Sequence, residues 1–159
     1  MDALKALYTT TDGRISRKRW WLGLVGLIIA SIVLSIILSL VGLGVGSRWG
    51  QLIGSVILFY PGWCIAIKRR QDRDSNAMDY KILAISLLVL GLAQALGIGF
   101  TVTDIGNGME AAVPDMWMSV LYMLLGVFGL YMLVQLGFLK GTPGTNTYGA
   151  DPLGYAVAA

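Results

Sequence analysis

The sequence has no histidine, one cysteine and four prolines among 159 residues, and only 13% of its residues are charged. Without histidine there is no imidazole to serve as a general base or to ligate haem or zinc. The single Cys64 excludes an intramolecular disulfide, and its place in an apolar run reads as a small buried hydrophobe. No group of Cys, Asp and Glu shows metal-ligand spacing. No catalytic residue, metal site or cofactor is therefore expected. Long stretches also lack charge of either sign: the runs at about 21–43, 52–67, 82–100 and 117–139 contain no Asp, Glu, Lys, Arg or His.

What is present is apolar. Mean hydropathy is +0.71, too high for a soluble fold of this size. About 20 apolar residues are enough for a helix to cross a roughly 30 Å hydrocarbon core. The run at 21–43 extends roughly 35 Å as a helix and the run at 52–67 roughly 24 Å, so the second span is taken from about residue 50 and recruits flanking polar residues or sits in thinned bilayer. The first run follows a basic stretch as a secretory signal would, but it is far longer than a roughly 7–15-residue signal core. It is read as an uncleaved first span. The expected fold is an all-α membrane protein: one domain, a compact four-transmembrane-helix bundle with spans at 21–43, 50–67, 82–100 and 117–139.

Basic residues are sorted by segment. Residues 1–20, 68–81 and 140–159 hold 11 of the 12 Lys and Arg, whereas the segments between the first and second spans and between the third and fourth hold one. Loops rich in Lys and Arg stay cytoplasmic. Both termini and 68–81 are therefore expected in the cytoplasm, with the turn near Ser47 and the acidic loop at 101–116 outside. The excess positive charge reads as this asymmetry and as a surface for anionic headgroups; no nucleic-acid motif accompanies it. Trp20, Trp21, Trp49, Tyr80 and Trp117 fall at span ends, where aromatic rings favour the headgroup level.

Helices in lipid associate where small residues let backbones approach. Ser31, Ser35 and Ser39 share one face of the first span, Gly91, Ala95 and Gly99 one face of the third, and Gly126 and Gly129 mark the fourth. These are expected contact faces. Gln94 is placed near the middle of the third span, where its amide needs a serine or a backbone carbonyl. Pro61 should kink or break the second span.

Three polar motifs fall on the side assigned to the cytoplasm. They are Gly13-Arg14-Ile15-Ser16-Arg17, the stretch Lys68 to Arg73, and the turn-rich Gly141 to Pro152. Arginines are expected to donate to Asp72, Asp151 and helix C-terminal carbonyls, forming a polar cluster of Gly13, Arg14, Ser16, Arg17, Arg69, Asp72, Gly144, Asn146, Tyr148, Gly149, Asp151 and Pro152. Asp72 and Asp151 read as ion-pair partners, not as a general acid and base.

The first motif with Trp20-Trp21-Leu22-Gly23, the stretch Arg69 to Asp72, and Gly144 to Pro152 together resemble the family catalogued as domain of unknown function 805. The resemblance runs over nearly the whole chain. It implies a small bacterial inner-membrane protein with about four spans and implies no reaction. In that family the middle motif usually reads Arg-Arg-Leu-His-Asp followed by Ser-Gly-Trp. Here Gln71 stands at the histidine, and Asn76, Ala77 and Met78 stand at Ser-Gly-Trp.

An enzyme is not expected. Coupled transporters usually carry ionisable residues within their spans, and these spans have none. A structural, lipid-interacting or accessory subunit of a membrane assembly is the favoured expectation, as a homo-oligomer or beside other subunits. A small-solute channel or transporter acting as an oligomer is the alternative.

Overall fold

The structure, a computed structural model, describes residues 2–44, 47–104 and 110–154. Parts of the segments assigned to either side of the membrane, at 1, 105–109 and 155–159, lie outside the described residues. A short helix α1 (Asp2–Thr9) precedes α2 (Arg17–Leu40), α3 (Arg48–Gln71) and α4 (Met78–Ala95). Strands β1 (Phe100–Asp104) and β2 (Glu110–Pro114) follow, then α5 (Met116–Leu133), which continues into a π-helical turn over Val134–Phe138. Four helices, counting α5 with its π-helical end, are long and apolar enough to cross a membrane.

Local chemistry sets the helix starts. Ser16 caps α2 by accepting from the Arg19 amide, and Ser47 caps α3 by accepting from Gly50. Asp79 lies in the first turn of α4, where a carboxylate complements the helix dipole. Helix α3 runs without interruption through Pro61, so the proline does not break the span. Tertiary support on either side keeps the turn helical: Tyr60 donates to Thr9 O at 3.0 Å, and Trp63 packs on Phe59 and on Tyr80 of α4.

The third span is shorter than the apolar run suggests. Helix α4 ends at Ala95, and the residues up to Phe100 turn into an antiparallel hairpin in which Phe100 pairs with Pro114 and Val102 with Ala112. The architecture is thus mostly helical with one small sheet. Gly99 leaves the helical stripe with Gly91 and Ala95. It adopts φ +74°, and a Cβ there would lie 2.5 Å from the Trp117 ring. Gln94 consequently sits in the last turn of α4. Its amide donates to Gln51 Oε1 at 3.2 Å and accepts from Tyr122 at 3.5 Å, bonding to neither serine nor backbone.

The bundle is organised around α3, which packs against α1, α2 and α4, whereas α2 meets the fourth span mainly through the π-helical turn. Most side chains of α2 and α5 stay exposed, so the four helices are not equally engaged. An apolar helix face of this kind can be solvated by lipid tails as well as by another helix. The buried core instead gathers toward the end that carries the polar motifs, in Leu7, Trp20, Ile65, Leu83, Met132 and Leu136. Trp20 is buried in this core, whereas Trp49 and Trp117 are exposed at helix ends.

The small-residue stripes behave unevenly. Ser31 and Ser35 line a cavity of about 540 Å³ between α2 and α3, and Ser31 and Ser39 donate to carbonyls of their own helix. Gly91 meets only Leu52, and a Cβ at Gly126 or Gly129 would meet nothing within 4 Å. The closer approach of α2 to α3 is at Gly23, where a Cβ would lie 3.4 Å from Ile65.

Candidate functional site

The fourth span ends in a wide turn, and that turn organises the polar end of the molecule. The Leu139 amide bonds to Val134 O at 3.2 Å, an i to i+5 closure. As at any helix C-terminus, the last carbonyls lack partners within the helix. Side chains from elsewhere supply them. Arg69 Nε donates to Leu136 O at 2.7 Å, Trp21 Nε1 to Gly137 O at 3.2 Å and Arg17 Nη1 to Phe138 O at 3.0 Å. Arg69 Nη2 takes Leu139 O. Four consecutive carbonyls are thus capped by donors from α2 and α3. Gly137 permits the approach: a Cβ there would lie 2.7 Å from the Trp21 ring and 3.1 Å from Trp20.

Arg69 is completely buried, and its charge faces Asp72, which is 3% exposed. The second carboxylate oxygen of Asp72 takes Arg14 Nε at 3.1 Å. Two buried arginines on one buried carboxylate would carry excess charge into a low-dielectric site. Backbone carbonyls absorb it. Arg14 also donates to Thr142 O and Gly144 O, each at 2.6 Å, and to Gly149 O at 3.2 Å. Arg69 adds a bond to Ile15 O at 3.5 Å. Such charge-assisted bonds are roughly twice as strong as neutral ones. The carbonyl of Asp72 receives the Thr142 amide at 2.8 Å and its hydroxyl at 3.2 Å. Gly141 lies so close that a Cβ would overlap the Asp72 carboxylate.

The C-terminal segment is shaped to present these carbonyls. Asn146 and Gly149 exchange backbone bonds at 3.1 Å, closing a tight turn. The Asn146 side-chain amide donates to Gln71 O and to Thr142 Oγ1, both at 2.9 Å, and its oxygen accepts from Tyr148 N at 2.9 Å. Asp151 pairs with no arginine: its carboxylate takes the backbone amides of Gly144 at 3.2 Å and Leu153 at 2.9 Å. That differs from the expected ion pair, because the turn brings two N–H groups to Asp151 first. Gly13 turns the chain ahead of Arg14 with φ +88°. Tyr148 contributes its amide alone, and Pro152 is exposed at the rim with no hydrogen bond into the cluster.

Several participants lay within or beside the polar motifs, but their partners could not be read from sequence. Arg70 pairs with Asp79 at 2.6 Å and bonds Ser75 and Gln135, and Arg73 also reaches Gln135. Lys68 caps the end of α1 through Ala6 O and Leu7 O. Thr142, Gly141 and Gly137 were likewise invisible as partners, since turn-rich composition does not say what a turn touches. The departures from the family motif have physical traces. Ala77 is fully buried at φ +60°, in the left-handed region that glycine tolerates best. Gln71 Oε1 and Trp20 Nε1 are buried and lack hydrogen bonds.

The arrangement can lock and cap; its arginines and Asp72 are engaged with one another and with backbone. Among the described residues no group of three His, Cys, Asp or Glu could hold a metal ion. A cleft of about 460 Å³ opens beside the cluster, bordered by Ser16, Arg17, Lys140, Thr142 and Leu153. No curated protein and no solved structure matches the chain. The pattern of one family matches residues 8–150, from the end of α1 to just before Asp151, and so takes in Arg14, Arg69, Asp72, Gly137 and Asn146. The chain therefore belongs to the family described as "Protein of unknown function (DUF805)".

Proposed function

We propose that this chain is a non-enzymatic, multi-pass protein of a bacterial inner membrane, with both termini cytoplasmic, that serves as a structural, lipid-interacting or accessory subunit of a membrane assembly. The observation that carries this reading is how the polar motifs are used. Arg14, Arg69 and Asp72 hold the C-terminal segment and the end of the fourth span, and each is engaged with protein groups on several sides. A catalytic acid, base or nucleophile needs a free face toward substrate. The exposed apolar faces of α2 and α5, with Gly126 and Gly129 uncovered, offer surface to lipid or to another helix.

Extraction in mild detergent followed by size analysis tests this reading. Co-migration with a stoichiometric partner or as a defined homo-oligomer is expected; a monodisperse lone monomer would sink the subunit role. A reporter fused after Ala159 should report a cytoplasmic C-terminus, and a periplasmic signal would reverse the topology. The cavity between α2 and α3, with Ser31, Ser35, Gln51 and Ser55 on its wall, favours a second reading as an oligomeric small-solute channel. Solute flux in proteoliposomes tests that alternative, and absence of flux across varied small solutes retires it.

A further inference from the structure

Resting on the lipid-interacting part of that reading, we propose that the cleft between the start of α2 and the segment after the fourth span binds a phosphate group, presented by the headgroup of an anionic phospholipid. Its volume of about 460 Å³ suits a small polar ligand, since such clefts run from roughly 300 to 1,000 Å³. Three cations and two carboxylates line it: Arg17, Arg69 and Lys140 with Asp72 and Asp151. The carboxylates are already taken. Asp72 faces Arg14 and Arg69, and Asp151 accepts two backbone amides. The amides leave the charge of Asp151 in place, but with Arg14 behind Asp72 four cations face two carboxylates, so the wall is net positive.

The donors are available. Arg17 uses Nη1 on Phe138 O, which leaves guanidinium N–H groups for an anion. Lys140 is exposed, and its ammonium makes no hydrogen bond or ion pair with the described residues. Ser16 Oγ accepts from the Arg19 amide and so keeps its O–H to donate. Ser16 O receives the Trp20 amide; the amides of Arg17 and Lys18 thus have no acceptor within the helix. An arginine fork and a lysine point charge suit phosphate oxygens, with Ser16 and the Arg17 amide at the helix start beside them.

The surroundings favour a lipid over a soluble phosphate. One helical turn beyond Arg17, Trp21 stands edge-on to Phe138 with ring centroids 5.8 Å apart, and both are exposed. Leu22 and Val25 on α2 and Val134 at the start of the π-helical turn are also exposed, further from the polar end. A phosphate held in the cleft puts acyl chains along these side chains.

Binding of phosphatidylglycerol, phosphatidylcholine and inorganic phosphate to the full chain in detergent tests the proposal, with native mass spectrometry as the readout. Wild-type protein should bind phosphatidylglycerol saturably and in preference to phosphatidylcholine. Lys140→Gln should weaken that binding at least about fivefold, whereas Lys81→Gln, a base that does not line the cleft, should leave it unchanged. Lys140→Arg should restore it. Equal loss in Lys140→Gln and Lys81→Gln, or no saturable binding of any probe, would overturn the site. Saturable binding of inorganic phosphate alone, still dependent on Lys140, would keep the phosphate chemistry and overturn the lipid source. Loss of the site while the chain still co-migrates with a partner leaves the subunit role standing; a lone monomer that binds phosphatidylglycerol through Lys140 does the reverse.

Discussion

The two ends of the bundle are held together by different physics. At one end, buried Arg14 and Arg69 donate to the buried Asp72 carboxylate and to carbonyls from the segment before α2, the π-helical turn and the C-terminal segment. At the other end, Gln94 links Gln51 to Tyr122 through neutral bonds at 3.2 and 3.5 Å, and one exposed carboxylate bond, from Thr101 of β1 to Asp115 at 2.7 Å, ties the hairpin to the start of α5. Buried charge is strongly coupled, because removing one partner strands the others. Neutral polar links between helices in a membrane are worth little each, about 0.6 kcal/mol on average. The polar end should therefore behave as one rigid unit and the hairpin end as a set of independent, replaceable contacts.

The widest test of that contrast is Asp72→Ala. It leaves Arg14 and Arg69 without their counter-charge, and breaking a buried pair in this way costs about 3–5 kcal/mol. Unfolding in mixed detergent should show this as an early transition, and a loss below about 1 kcal/mol would mean that the carbonyls alone hold the arginines. Next in size is Gly137→Ala, whose methyl runs into the packed Trp21 and Trp20 rings; overpacking of this kind costs about 1–3 kcal/mol. Gly126→Ala, with nothing within 4 Å of the new methyl, should be neutral within the chain. A similar penalty at both glycines in a monodisperse monomer would erase the distinction.

Arg14→Ala sharpens the comparison further. It removes the bonds to Thr142, Gly144 and Gly149 while leaving Arg69 on Asp72. Protease access to 141–154 should rise with helix content and insertion unchanged, and unaltered cleavage would show that Asn146 and Thr142 suffice. At the opposite end, Gln94→Leu should cost no more than about 1 kcal/mol, read from the same unfolding transition. The smallest effect is expected at Ala77→Gly. Relief of a left-handed conformation is worth about 1–2 kcal/mol, and the lost buried methyl offsets about 0.8 kcal/mol of it. A slight gain in midpoint temperature should result, and a clear loss would mean that the methyl matters more than the backbone.

Much of this was legible in the residues, and the exceptions are instructive. Charge-free runs located four long helices, and turn-rich motifs marked the segments that meet at the polar end. The hairpin was missed because residues 96–100 are as apolar as a helix. Their glycines, Gly97 and Gly99, adopt positive φ and end it. Helix α1 was missed because, although amphipathic, its eight residues are shorter than the stretch over which a helical pattern is read; its place comes from Lys68, Tyr60 and Tyr8 bonding its end and the neighbouring helix. Asp151 read as an arginine partner, and the tight turn gave it two amides instead.

The order of residues by itself determined that the chain has four long apolar runs, that its basic residues are sorted between alternate segments, and that it offers no imidazole. Those properties follow from counting, because transfer of a helix into lipid depends on length and apolarity summed along it. Only the tertiary structure decided that Arg69 caps the carbonyls of a helix 67 residues away, that Gly137 must lack a side chain, and that Lys140 faces an open cleft. Each of these depends on where a wide π-helical turn aims its unpaired carbonyls. That direction is fixed by packing between distant segments, which no local pattern of residues encodes.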